Sequence, residues 1–138
     1  MTIINMQSMR YINILDKISR VKTRKCFVYN NILFFAVEGK QVSRAIGTSA
    51  SNIKKIQDQI GKKVKIISEP RDSRDITRFI ENIVFPIRFK SLEIKDNAAL
   101  ITAGSNQNKA ALIGRNKRRL EELAKIVNDF FNLDLKII

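Results

Sequence analysis

Apolar positions along the chain alternate between two rhythms. Residues 9–20 place Met9, Ile12, Leu15 and Ile18 at helical spacing, with Lys17 and Arg20 near the end, where a helix dipole favours cations. Cys26–Tyr29 and Ile32–Val37 are continuous apolar runs rich in β-formers. They meet at Asn30-Asn31, a pair that tolerates left-handed turn angles, and so predict a hairpin. Gln41–Ile46 predicts a short helix ending at Gly47. Asn52–Ile60 predicts a second helix that buries Ile53, Ile56 and Ile60 and stops at Gly61. Val64–Ile67 predicts a closing strand.

The same order then returns. Ser68–Asp72 is a short link, too short for a flexible tether, and Asp72 or Ser73 can cap the helix that follows. Ile76, Phe79, Ile80, Ile83 and Val84 form an apolar stripe that Pro86 ends. Strands are predicted near Ile87–Ile94 and at Ala98–Thr102, turning at Asp96-Asn97. Asn108–Ile113 repeats the short helix. A long helix from about Lys117 to Phe131 buries Leu120, Leu123, Ala124, Val127 and one or both terminal phenylalanines, and Leu135–Ile138 closes the unit.

Shifting the chain against itself by 67 positions aligns 27–56 with 94–123 without a gap, setting Asn30 on Asn97, Leu33 on Leu100, Ala36 on Ala103 and Gly47 on Gly114. Both copies end in Lys-Ile-Ile, after the second gains four residues. About one helical turn of extra chain lengthens a helix without rotating its buried face. The expectation is two related domains, 1–68 and 69–138, each α-β-β-α-α-β. Each would be an α+β layer, a three-stranded sheet covered on one face by helices. Domains this small are near the lower limit for independent cores.

Composition narrows the chemistry. Histidine is absent and Cys26 is the only cysteine, which removes the commonest general base and any disulfide or multi-thiolate site within the chain. No Gly-rich nucleotide loop or paired carboxylate motif stands out. The expectation is a protein that is no enzyme and takes no cofactor, metal or small-molecule substrate. No apolar run has the length of a membrane span, and Met1–Met9 lacks the pattern of a secretory signal, so a cytoplasmic location is expected. The net charge of +13 favours a polyanion.

Two segments concentrate the interest. Ala45–Ile56 reads A-I-G-T-S-A-S-N-I-K-K-I and Leu112–Leu123 reads L-I-G-R-N-K-R-R-L-E-E-L. Each sets a glycine-led loop between two helices, which resembles the RNA-gripping loop of KH domains. Ala50 and Lys117 stand where the usual G-x-x-G has its second glycine. With F-I-E-N-I-V-F-P at 79–86 and the ordered pair of loops, the chain from about Met9 onward resembles the archaeal NusA-type transcription factors. That resemblance implies tandem type II KH domains, and a role in transcription elongation, termination or antitermination through single-stranded nascent RNA. It also raises RNA polymerase as a partner.

The residues expected to touch RNA are Gly114, Arg115, Asn116, Lys117, Arg118 and Arg119 in the second loop, and Gly47, Thr48, Ser49, Ala50, Lys54 and Lys55 in the first. Arg115, Lys117, Arg118 and Arg119 gather at a helix start, where cations oppose the dipole and a bound phosphate would resolve the conflict. Pairing of Lys117 with Glu121 and of Arg118 with Glu122 is the competing account. Thr48 and Ser49 offer hydroxyls without charge, and Ser49 or Ser51 could serve only as a helix cap. Lys54 and Lys55 could equally form a solvated helix face. No aromatic stacking platform is evident, since the phenylalanines mostly fall in apolar stripes. A protein-docking module that has lost RNA, and a ribosome-assembly or translation factor, remain alternatives.

Overall fold

The computed structural model describes residues 6–138; part of the Met1–Met9 segment read against a secretory signal lies outside the described residues. The chain divides into two compact units, between Glu69 and Pro70. The first runs α1 (Met6–Ser19), β1 (Lys25–Tyr29), β2 (Ile32–Val37), α2 (Val42–Ile46), α3 (Ser51–Ile60) and β3 (Lys63–Ser68). The second runs α4 (Ile76–Val84), β4 (Ser91–Lys95), β5 (Ala98–Thr102), α5 (Asn106–Ile113), α6 (Arg118–Phe131) and β6 (Asp134–Ile137). The fold is α+β, with two three-stranded sheets. In each the middle strand pairs antiparallel with the first and parallel with the last.

Local chemistry sets the element ends. Asn30 and Asn31 (φ 52° and 63°) turn the first hairpin, and Asp96 and Asn97 (φ 52° and 60°) turn the second. Ser19 ends α1 by donating its hydroxyl to Leu15 O at 2.7 Å while accepting from Val21 N at 3.1 Å. Asp72 accepts from Arg74 N at 2.8 Å and so caps the 3₁₀ turn that leads into α4. Arg71 clasps Asp75 with a pair of 2.9 and 3.0 Å bonds, and this exposed pairing holds the Asp75 carboxyl well below the usual carboxylate range.

The first core gathers Tyr11, Leu15, Leu33, Phe35, Val37 and Ile56, with Ile53, Ile60 and Cys26 packed against it. Burial pushes the Cys26 thiol up, as suits a small hydrophobe. Met9 is half exposed, so α1 buries a Tyr11–Leu15 stripe in place of one that starts at Met9. The other face of this sheet is also closed. Phe34 and Ala36 are fully buried there, with Phe27 stacked on Phe34 at 5.2 Å and Lys65 reaching over the same ring. In the second unit the whole α4 stripe is buried, and Phe79 packs against Phe130 (4.7 Å) and Phe131 (5.8 Å) of α6. Ile126, missing from the expected stripe of α6, is buried beside Leu123 and Val127.

The ungapped 67-residue repeat needs one correction. In the hairpins Tyr29-Ile32 and Lys95-Ala98 are the pairs that flank the turns, an offset of 66. Leu33, Phe35 and Val37 therefore correspond to Ala99, Ile101 and Ala103, all buried, and not to Leu100, Thr102 and Gly104. A one-residue slip in a strand exchanges its two faces, so burial decides the register. The offset returns to 67 at the loops because one extra residue enters between β5 and α5: Gly104 and Ser105 stand where the first unit has Glu38 alone, whereas the 3₁₀ turn and α2 over Gly39–Ile46 match the length of α5. The four added residues do lengthen α6 over α3, and Lys63 and Asp134 open the two closing strands. A second correction concerns β4, which starts at Ser91. Residues 87–90 alternate like a strand, but β5 ends at Thr102, opposite Ser91.

Candidate nucleic-acid interface

Both loops adopt one backbone conformation, residue for residue. Gly47 (φ 80°, ψ 167°) matches Gly114 (75°, 173°), Ser49 (54°, 34°) matches Asn116 (55°, 29°), and Ala50 (60°, 29°) matches Lys117 (60°, 20°). The glycine lies in a region nearly closed to other residues, and the next-but-one pair is left-handed. Ala50 and Lys117 thus hold the very conformation a second glycine would take, at a cost of about 1–2 kcal/mol each. A 3.1 Å bond from Ala50 N to Gly47 O closes the first loop, and a 3.3 Å bond from Lys117 N to Gly114 O closes the second.

The glycines are required for space as well. A Cβ on Gly47 would lie 2.9 Å from the Asn52 amide and the Ser51 hydroxyl. On Gly114 it would lie 2.8 Å from Arg119 Cγ and 3.1 Å from Arg119 N. The first turn of the following helix therefore presses on the glycine in both units.

Neither α3 nor α6 has a side-chain cap, whereas Ser105 caps α5 by accepting from Asn108 N at 3.1 Å. The helix starts behind the loops keep backbone N–H groups and the positive dipole end for an anion. Of the expected contacts, Arg115, Asn116, Lys117 and Arg118 are exposed around one such start, and Thr48 and Ser49 are exposed beside the other. Ala50 is half buried. Lys54 and Lys55 are exposed one turn further along α3, off the loop itself.

Arg119 has a different post. It is half buried, and its guanidinium donates to Ala111 O at 3.3 Å. Asn52, its counterpart in the first unit, donates its amide to Arg44 O at 3.1 Å. Arg44 and Ala111 are themselves counterparts. Each side chain reaches back over the loop to a carbonyl near the end of the preceding helix, where such groups lack intrahelical partners.

No protein-family model matches the chain. Similar curated proteins are each called a probable transcription termination protein NusA. One, from Methanocaldococcus jannaschii, is 30% identical over 119 residues, spanning 84% of this chain and 63% of that protein. Another, from Thermoplasma acidophilum, is 23% identical over 93% of this chain and 89% of its own length. A third, from Halococcus morrhuae, is 20% identical over 92% and 91%. The chain is an archaeal NusA-like protein.

A solved structure titled "Crystal structure of APE1850" superposes with a TM-score of 0.69 at 24% identity, covering 98% of this chain and all of that one. That likeness extends the fold to the full length of the NusA-like chain. Sequence reasoning found both loops of the NusA-like chain through the Ile-Gly repeat, but placed Arg119 among the outward cations. Asn52 was missed. The signal available was the 67-residue offset, which pairs Asn52 with Arg119 despite their different chemistry. Among the described residues no helix is long and apolar enough to cross a membrane.

Proposed function

We propose that this NusA-like chain is a non-catalytic, cytoplasmic factor of transcription termination or antitermination that binds single-stranded nascent RNA, with residues 1–68 and 69–138 as two type II KH domains. The observation that carries the proposal is the shared loop conformation ahead of two uncapped helix starts. The α-β-β-α-α-β order of each unit and the names of the curated relatives support it. The backbone of the RNA would lie against Gly47 and Gly114. A phosphate would take N–H groups at the start of α3 or α6, with Arg115, Lys117 and Arg118 adding charge in the second unit.

The test is binding of a fluorescent single-stranded RNA, read by anisotropy across a salt series. With about four to six phosphates neutralised, log affinity should fall against log salt with a slope of roughly −3 to −4. Replacing Arg115 and Asn116 by Asp should weaken binding about ten-fold or more. The same change at Thr48 and Ser49 should cost less, because no cation is lost there. RNA ignored at low salt, or a salt-insensitive interaction, would overturn the reading in favour of a module that docks on RNA polymerase or another protein.

A further inference from the structure

The 66-residue register brings out a second repeated feature, away from the loops. The connection between the first helix and first strand of each unit carries a basic pair at alternate positions: Lys22 and Arg24 in the first, Arg88 and Lys90 in the second. These are counterparts under the register that the hairpins define. All four are exposed, while the residues between and before them turn inward. Val21 is buried, and Thr23, Ile87 and Phe89 are half buried. That alternation sets the charges on the outer side of each connection.

Both connections are also tied down at one place. Thr23 donates its hydroxyl to Ala36 O, and Lys90 donates its backbone N–H to Thr102 O at 2.8 Å. Ala36 and Thr102 are counterparts too. Among the described residues no ion pair neutralises the four basic side chains. In the second unit an exposed aromatic precedes the pair by three residues: Phe85 keeps 64% of its surface open. The first unit has no ring there, and a groove of about 760 Å³ beside Lys22 and Arg24 is lined by Asp16, Glu38 and Glu69 as well as by Arg20 and Lys25.

We infer that these two connections are additional phosphate contacts for single-stranded RNA, with Arg88 and Lys90 the stronger pair and Phe85 a stacking surface for a base. The inference rests on the RNA-binding reading above. Residues two apart along a chain are separated by at most about 7 Å, a spacing suited to successive phosphates of a stretched strand. An exposed ring beside cations is the arrangement that holds unpaired bases without sequence preference. The first unit lacks the exposed ring, and three acidic residues in its groove offset part of the attraction of the four basic ones, which sets the ranking.

The experiment compares wild type, R88A/K90A, K22A/R24A, F85A and the loop variant R115D/N116D in anisotropy titrations with one labelled single-stranded RNA. Circular dichroism checks folding; the exposed replacements should leave it unchanged. R88A/K90A should flatten the salt slope by about 1.4, near 0.7 for each lost phosphate contact. K22A/R24A should flatten it less. F85A should weaken binding about ten-fold with the slope unchanged, as expected for lost stacking. If R88A/K90A keeps the wild-type affinity and slope while R115D/N116D is weakened, the inference falls and the loop reading stands. Capture of an acidic protein by these pairs without any effect on RNA would overturn it in the same way. A wild-type protein that ignores RNA overturns both.

Discussion

The two loops share a backbone and differ in what they carry on it. In the first, Thr48, Ser49 and Ala50 present hydroxyls and a methyl group; in the second, Arg115, Asn116 and Lys117 present cations and an amide. Their dihedral angles nevertheless agree closely at the glycine and at both left-handed positions. Loop shape is therefore set by the neighbouring helices, through the required glycine and the reach-back bond from Asn52 or Arg119. Loop charge is a separate variable laid over that shape. The missing second glycine leaves the conformation intact and imposes a strain.

The largest expected effect breaks the shared shape. Gly114→Ala puts a Cβ against Arg119 Cγ and its backbone nitrogen, in a φ/ψ region nearly confined to glycine. It should cost about 3 kcal/mol in urea unfolding, near the upper end for such strain. Gly47→Ala meets the ends of the Asn52 and Ser51 side chains, which can swing aside only with loss of the Asn52 bond to Arg44 O, and should cost roughly 2 kcal/mol. Equal losses at the two sites would show that backbone crowding at Arg119 does not distinguish the loops.

A smaller effect separates structure from binding at the reach-back pair. Asn52→Ala and Arg119→Ala each remove one hydrogen bond to a helix-end carbonyl, and each should lower stability by about 1 kcal/mol. If Arg119 serves mainly as this strut, Arg119→Ala leaves the salt slope of RNA binding in place. A slope flatter by about 0.7 would return Arg119 to the set of phosphate ligands.

The same pair shows where the sequence is readable and where it is not. Helical and strand rhythms locate the elements because burial imposes a period, so the stripe from Ile76 to Val84 is recovered in full. The glycine loops are legible because Ile-Gly recurs. Hairpin register is not, because the identity of Asn30 with Asn97 draws the alignment one residue away from the register that keeps Leu33 and Ala99 inward. Residues 87–90 read as strand because an extended, half-buried connection has the same alternation as a paired edge. The match of Asn52 to Arg119 is hidden for another reason. Two side chains of different chemistry satisfy one geometric need, a donor eight residues beyond the carbonyl it serves.

The smallest effect sharpens the comparison most, because it reverses sign between stability and binding. Ala50 and Lys117 both lie at φ 60° in the left-handed region, where glycine is free of the Cβ penalty but loses more entropy on folding. The balance should make Ala50→Gly and Lys117→Gly each more stable by about 0.5–1 kcal/mol, read as equal upward shifts in the urea midpoint. Binding should then part the two. Ala50→Gly removes a methyl group from the first loop and no charge, so affinity holds or rises with the salt slope unchanged. Lys117→Gly removes an exposed cation at an uncapped helix start, so affinity falls and the slope flattens by about 0.7. A loss of stability at either position would mean that the loop is held in this conformation by the side chain itself. Equal affinities for the two variants would mean that the charge on the second loop faces something other than phosphate.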